Sequence, residues 1–121
     1  MLSHFRLLKT GIKNLIKWFP LIYNDRDFDH GYLYDILYFK LDNMQKFFES
    51  DNTYSVDAKL YGEQIKECKE LLKRIKDETI YDEYWDGEDF TVSTKEIVKL
   101  NEEEKDKFWS LMREYIDGWW D

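Results

Sequence analysis

The sequence predicts an all-α fold, a small bundle of about four helices with a long antiparallel helical hairpin and an irregular acidic insertion. Three observations predict it. Apolar residues recur three and four positions apart in four separate stretches, which is the period of a helix face and not of a strand. Helix-breaking and turn-forming residues, Pro20 and Ser50-Asp51-Asn52, fall between those stretches. The chain has 121 residues, 43% of them hydrophobic, with no Gly/Ser linker and no internal repeat, so residues 1–121 are expected to form a single helical domain.

The first helix is expected from about His4 to Phe19. Phe5, Leu8, Ile12, Leu15 and Phe19 form its apolar stripe, and Pro20 is expected to end it. Arg6, Lys9, Lys13 and Lys17 follow the same spacing one residue on and form a basic ridge beside the stripe. Such a helix suits a membrane surface or an anion-facing position. The expectation preferred is a core helix whose lysines reach past the apolar surface toward the protein's own acidic face.

The second helix is expected to start near Asp29, whose carboxylate can accept from free backbone N–H groups, and to end at Ser50-Asp51-Asn52. Leu33, Leu37, Leu41, Met44 and Phe48 supply its buried stripe, widened by Ile36, Phe39 and Phe47. The third runs from about Val56 to Glu78, where Ala58, Tyr61, Ile65, Cys68, Leu72 and Ile75 follow a heptad. The short connection between these two predicts the antiparallel hairpin.

Residues 79–100 are expected to be the irregular insertion. Ile80 to Trp85 is acidic and aromatic at once, Asp86-Gly87 is a turn signal, Phe90-Thr91-Val92 suits a short strand, and Ser93 with Glu96 suits a capping box. The last helix is expected to begin at Asn101 as its cap, with Glu102 to Glu104 on its positive end. Phe108, Leu111, Met112, Tyr115, Ile116 and Trp119 give its apolar face, and Gly118 loosens its end.

Charge and composition bound the function. Aromatic residues make up 18% and the net charge is −8. Residues 1–24 carry +4, so the remainder carries −12. An acidic body repels duplex DNA but suits a basic protein partner, in front of which it can imitate DNA. The single cysteine, Cys68, falls in an apolar helical position and is expected to be a buried small hydrophobe. No run of about 18 apolar residues predicts a transmembrane segment. Lys9, Lys13 and Lys17 interrupt the only apolar start, and no small-residue cleavage site follows, so no signal peptide is expected.

Catalytic and metal chemistry find little support. There are two histidines, His4 and His30, and no Gly-rich turn around a serine, no P-loop and no G-x-G-x-x-G. Asp25-Arg26-Asp27-Phe28-Asp29 begins like an EF-hand loop, but the sixth position is His30 in place of Gly and the twelfth is Ile36 in place of Glu. The chain is therefore expected to be no enzyme and to need no metal or cofactor.

Binding chemistry has more. His30, Tyr34 and Tyr38 lie four apart and share one line on the second helix, next to Arg26. That line suits stacking a base or a protein contact, and it equally suits burial under a neighbouring helix. Tyr81, Tyr84, Trp85, Trp119 and Trp120 form a second aromatic concentration. The two terminal tryptophans either close the core or bind a second chain.

The run Asp25-Arg26-Asp27-Phe28-Asp29, then Tyr32-Leu33, Leu37, Phe39-Lys40-Leu41, Met44 and Phe47-Phe48, with Leu71-Leu72, Arg74 and Trp119-Trp120-Asp121, resembles a group of short phage and prophage proteins. The resemblance covers residues 25–78 and the last three. It implies a phage origin and a place in the host cytoplasm, and brings no catalytic residues. The function expected on these grounds is a phage accessory protein that counters host defence by binding. Its most concrete form is an oligomer that sequesters a nucleotide-type immune signal. Arg26, Lys40 or Arg74 would meet the phosphates, and His30, Tyr34 or Tyr38 would stack the base. The alternatives are an acidic inhibitor of a host defence protein, using Asp77 to Asp89 and Glu102 to Asp106, and a virion component. Tyr84, Trp85, Trp119 and Trp120 are the expected partner contacts.

Overall fold

In the computed structural model, which describes residues 2–84 and 94–121, every regular element is helical. The elements are α1 (Leu2–Asn24), α2 (Gly31–Glu49), α3 (Ala58–Lys76), α4 (Thr79–Tyr84), α5 (Thr94–Tyr115) and a 3₁₀ turn at Ile116–Gly118. The all-α expectation holds among the described residues, with five helices where about four were expected. The residues group into two compact units, Met1–Ile36 and Leu37–Asp121, and the division falls inside α2.

The first unit holds α1 and the start of α2. Pro20 does not end α1, which continues to Asn24. Proline's fixed φ is itself helical, and its cost is a lost N–H bond to the carbonyl four residues back. That carbonyl belongs to Ile16, on an exposed turn where water can satisfy it. Past the proline, Asn24 Nδ2 donates to the Pro20 carbonyl (2.8 Å) and closes the helix end. Asp29 behaves as expected: its Oδ1 accepts from the Gly31 N–H at 2.8 Å at the start of α2.

The second unit is built on α3. Ala58, Ile65, Cys68, Leu72 and Ile75 are buried as the heptad predicts, with Gly62 beside them. Leu41 and Phe48 of α2 are buried, whereas Leu33 is 64% exposed, so the expected α2 stripe is covered only toward its C-terminal end. The antiparallel hairpin is present. Asp42 pairs with Lys69 (2.9 Å), the Phe48 ring meets Tyr61 (5.4 Å between centroids), and Lys76 lies over the Tyr38 ring (4.7 Å). Positions advance along α2 as they recede along α3.

α3 ends where Glu78 turns left-handed (φ 51°) and frees the chain to start α4. α4 occupies part of the segment expected to be irregular, and its Ile80 is buried against the core. α5 also begins earlier than expected, at Thr94. Asn101 is therefore no cap. It is a buried member of the stripe Ile97, Asn101, Phe108 and Met112. Asn101 with Glu104 matches a capping box locally, but the period beginning at Ile97 carries the helix through it. Trp85, Asp86-Gly87, Phe90-Thr91-Val92 and Ser93 lie outside the described residues.

Candidate functional site

Two acidic stretches, 77–84 and 102–106, are separated in sequence and meet through one arginine. Arg74, in the last turn of α3, donates from Nη1 and Nη2 to Glu83 Oε1 and Oε2 (2.7 and 3.0 Å). It also donates from Nε and Nη2 to Glu104 Oε1 and Oε2 (2.7 and 3.2 Å). The planar guanidinium thus engages a carboxylate on each of two edges, a geometry that lysine's point charge cannot reproduce. The two carboxylates raise the Arg74 pKa further, Glu83 first, and the Glu83 carboxyl is held below its usual range by the same bonds.

The arrangement ties α4 to both α3 and α5. The two stretches also carry exposed carboxylates at Asp77, Asp82, Glu103 and Asp106. Glu102 is also exposed and pairs with Lys105 at 3.4 Å. Tyr84, 40% exposed, ends α4. The second unit carries 13 basic and 22 acidic residues, a net −9, whereas residues 1–36 carry +1.

Arg74, expected to meet a phosphate, is engaged here by two carboxylates. The other expected ligand residues fall in both units. Arg26 is exposed, and its Nη1 donates to the carbonyls of Asp25 (2.6 Å) and Tyr23 (3.3 Å) at the end of α1. His30 and Tyr34 meet edge to face at 5.7 Å in the first unit. Tyr38 belongs to the second unit, where Lys69 and Lys76 sit over its ring. Lys40 is exposed on α2. An open cleft of about 410 Å³ is lined by Asp25 to His30 with Tyr32, Leu33 and Ile36.

The terminal tryptophans divide between the two readings. Trp119 is buried, and its Nε1 donates to Gln64 Oε1 at 3.0 Å, so it closes the core. Trp120 is 73% exposed. Trp85 lies outside the described residues. Cys68 is fully buried, and burial followed by the Glu67 charge pushes its thiol up to about 11, so it stays protonated at neutral pH. Among the described residues no group of three or more His, Cys, Asp and Glu side chains is placed to hold a metal ion.

Asp121 is the structural residue that sequence reasoning missed. Its Oδ1 accepts from Thr53 Oγ1 (2.6 Å), Tyr54 N (2.7 Å) and Ser55 N (2.8 Å), so it organises the loop between α2 and α3. A partner more than 60 positions away leaves no local signal; only the terminal W-W-D pattern marked the residue. The Thr53 hydroxyl first, then the Tyr54 and Ser55 N–H groups, hold the Asp121 carboxyl below its usual pKa. Bonds from Lys46 and Lys69 do the same for Asp42.

These depressed carboxyls set a pH dependence. Asp42, Glu83 and Asp121 contribute fully above the ordinary carboxylate range, and that contribution is lost as pH falls through their folded-state values. The melting temperature is expected to stay level from neutral pH down to about 5 and to drop below about 4. Thermal melts across that range check it, and an Asp42→Asn, Asp121→Asn variant is expected to show a shallower drop.

Comparison with known protein families, with curated proteins and with solved structures finds no match to this chain.

Proposed function

We propose that the chain is a phage accessory protein that counters a host defence by binding, as an acidic inhibitor that fills a basic groove on a defence protein. The observation that carries this reading is the juxtaposition made by Arg74, which brings Glu83 of the acidic stretch 77–84 and Glu104 of the stretch 102–106 together in a unit of net −9. Carboxylates fixed on helices present charge to a basic groove without first being ordered, which favours fast, charge-steered association. The resemblance to short phage proteins supports the setting in host cytoplasm.

The test is capture of a defence protein from host lysate, repeated with the purified partner. Capture is expected at low salt and is expected to fall steeply as salt rises. An Asp82→Lys, Glu103→Lys, Asp106→Lys variant is expected to lose it while keeping its helical signal. Capture indifferent to salt and to these substitutions overturns the reading.

Sequestration of a nucleotide-type signal in an oligomer is the second reading, and the cleft at Asp25–Ile36 favours it. The cleft has the volume of a small-ligand site and sets Arg26, Phe28 and His30 side by side. Asp25, Asp27 and Asp29 line it too and oppose a phosphate, which places this reading second. Native mass spectrometry separates the two: an oligomer with a few hundred daltons of added mass supports sequestration, and a bare monomer supports the inhibitor.

A further inference from the structure

We infer that α1 is a membrane-surface element that lies on an anionic phospholipid bilayer with its apolar stripe buried among the acyl chains. Within the first unit, nothing covers the stripe expected to be a core face. Phe5, Leu8, Leu15, Ile16, Phe19 and Ile22 are each more than 60% exposed. Among the α1 side chains described, only Trp18 and Leu21 are half-buried, and neither falls in the stripe.

The occupant is argued from charge. α1 contains no acidic residue. Arg6, Lys9, Lys13 and Lys17 run along one edge of the stripe, all exposed, and none is paired with a carboxylate among the described residues. A second copy of α1 seated stripe to stripe would bring two basic ridges together with no acid on either helix to offset them. The acidic second unit of another copy would satisfy the charge but not the stripe. Its exposed apolar residues are scattered over separate elements, among them Val56 in the loop before α3, Leu60 on α3, Trp109 on α5 and Trp120 near the terminus. An anionic bilayer supplies both requirements in one layered surface: phosphate headgroups at the height of the lysines and hydrocarbon beneath.

The helix lies on the bilayer and does not cross it, since no described helix is long and apolar enough to span. Its 23 residues extend over roughly 35 Å, enough to seat about six turns in the headgroup layer. This inference does not depend on the acidic surface of the second unit, and the two can fail separately.

The experiment is flotation of the full chain with vesicles of phosphatidylcholine, with and without phosphatidylglycerol. Binding to the phosphatidylglycerol vesicles is expected to be about tenfold or more stronger, and to weaken with salt. Ile12→Asp with Phe19→Asp is expected to abolish it, and Lys9→Glu with Lys13→Glu to reduce it by about tenfold or more. All four positions are exposed, so the melting of the second unit is expected to be unchanged and serves as the folding control. Three results overturn the inference: no flotation with anionic vesicles, flotation that survives both variants, or a salt-stable dimer in solution that the Ile12→Asp, Phe19→Asp variant dissolves.

Discussion

Phe108→Ala is expected to remove about 3–5 kcal/mol of stability from the second unit, the usual range for truncating a buried phenylalanine. Phe108 is fully enclosed, on the α5 stripe with Ile97 and Met112. The loss combines the transfer free energy of the ring with a cavity that helices α3 and α5 cannot collapse around without disturbing one another. A domain of this size has about 5–15 kcal/mol in total, so the variant is expected to be partly unfolded near body temperature. Its neighbour supplies the control. Trp109 touches the Phe108 ring at 4.8 Å yet is 48% exposed. Trp109→Ala is expected to cost less than about half as much, because much of that ring is already in water. Urea unfolding followed by circular dichroism measures both, and equal losses would contradict the burial assigned to them.

Arg74→Met is expected to be the second largest loss, about 1–3 kcal/mol. Breaking a fully buried pair costs about 3–5 kcal/mol by leaving a charge unpaired. Here the Arg74 side chain is 36% exposed and Glu83 is 45% exposed, so solvent screens part of the loss. Glu104 is only 12% exposed, and its abandoned carboxylate accounts for most of what remains. Adding Glu104→Gln to the variant is therefore expected to recover part of the stability. Arg74→Lys is expected to fall between, since one ammonium cannot hold both carboxylates in the fork geometry. Arg74→Met is also expected to free α4, which limited proteolysis between residues 77 and 84 would detect. If Arg74→Met leaves both melting and proteolysis unchanged, the tie does not hold the acidic surface together.

Local pattern made much of this protein legible. The α3 heptad marked Ala58, Ile65, Cys68, Leu72 and Ile75 as core, because a seam repeated through nearly three heptads has one burial solution. Asp29 was recognisable as the start of α2 from its own side-chain chemistry. The hairpin of α2 and α3 followed from two long periodic stretches and a short connection. Local pattern misled at Pro20 and Asn101. Each matches a boundary signal over a few residues, and each was outweighed by a longer periodicity running through it.

By itself, then, the sequence determined the four long helical stretches, though not α4 or the start of α5, and which face of each is apolar, since both depend on residues three and four apart on one element. Only the tertiary structure decided what covers those faces and which charges meet. Trp119 and Trp120 are adjacent and chemically alike, yet Gln64 receives one while the other stays in water. Arg74 was one cation among many until Glu83 and Glu104 closed on it. The α1 stripe and the α3 seam have the same period, and only the α3 seam is covered within its own unit. The physical reason is common to all three. Amphipathicity is a property of one helix, whereas burial and ion pairing are properties of what the rest of the chain brings to it.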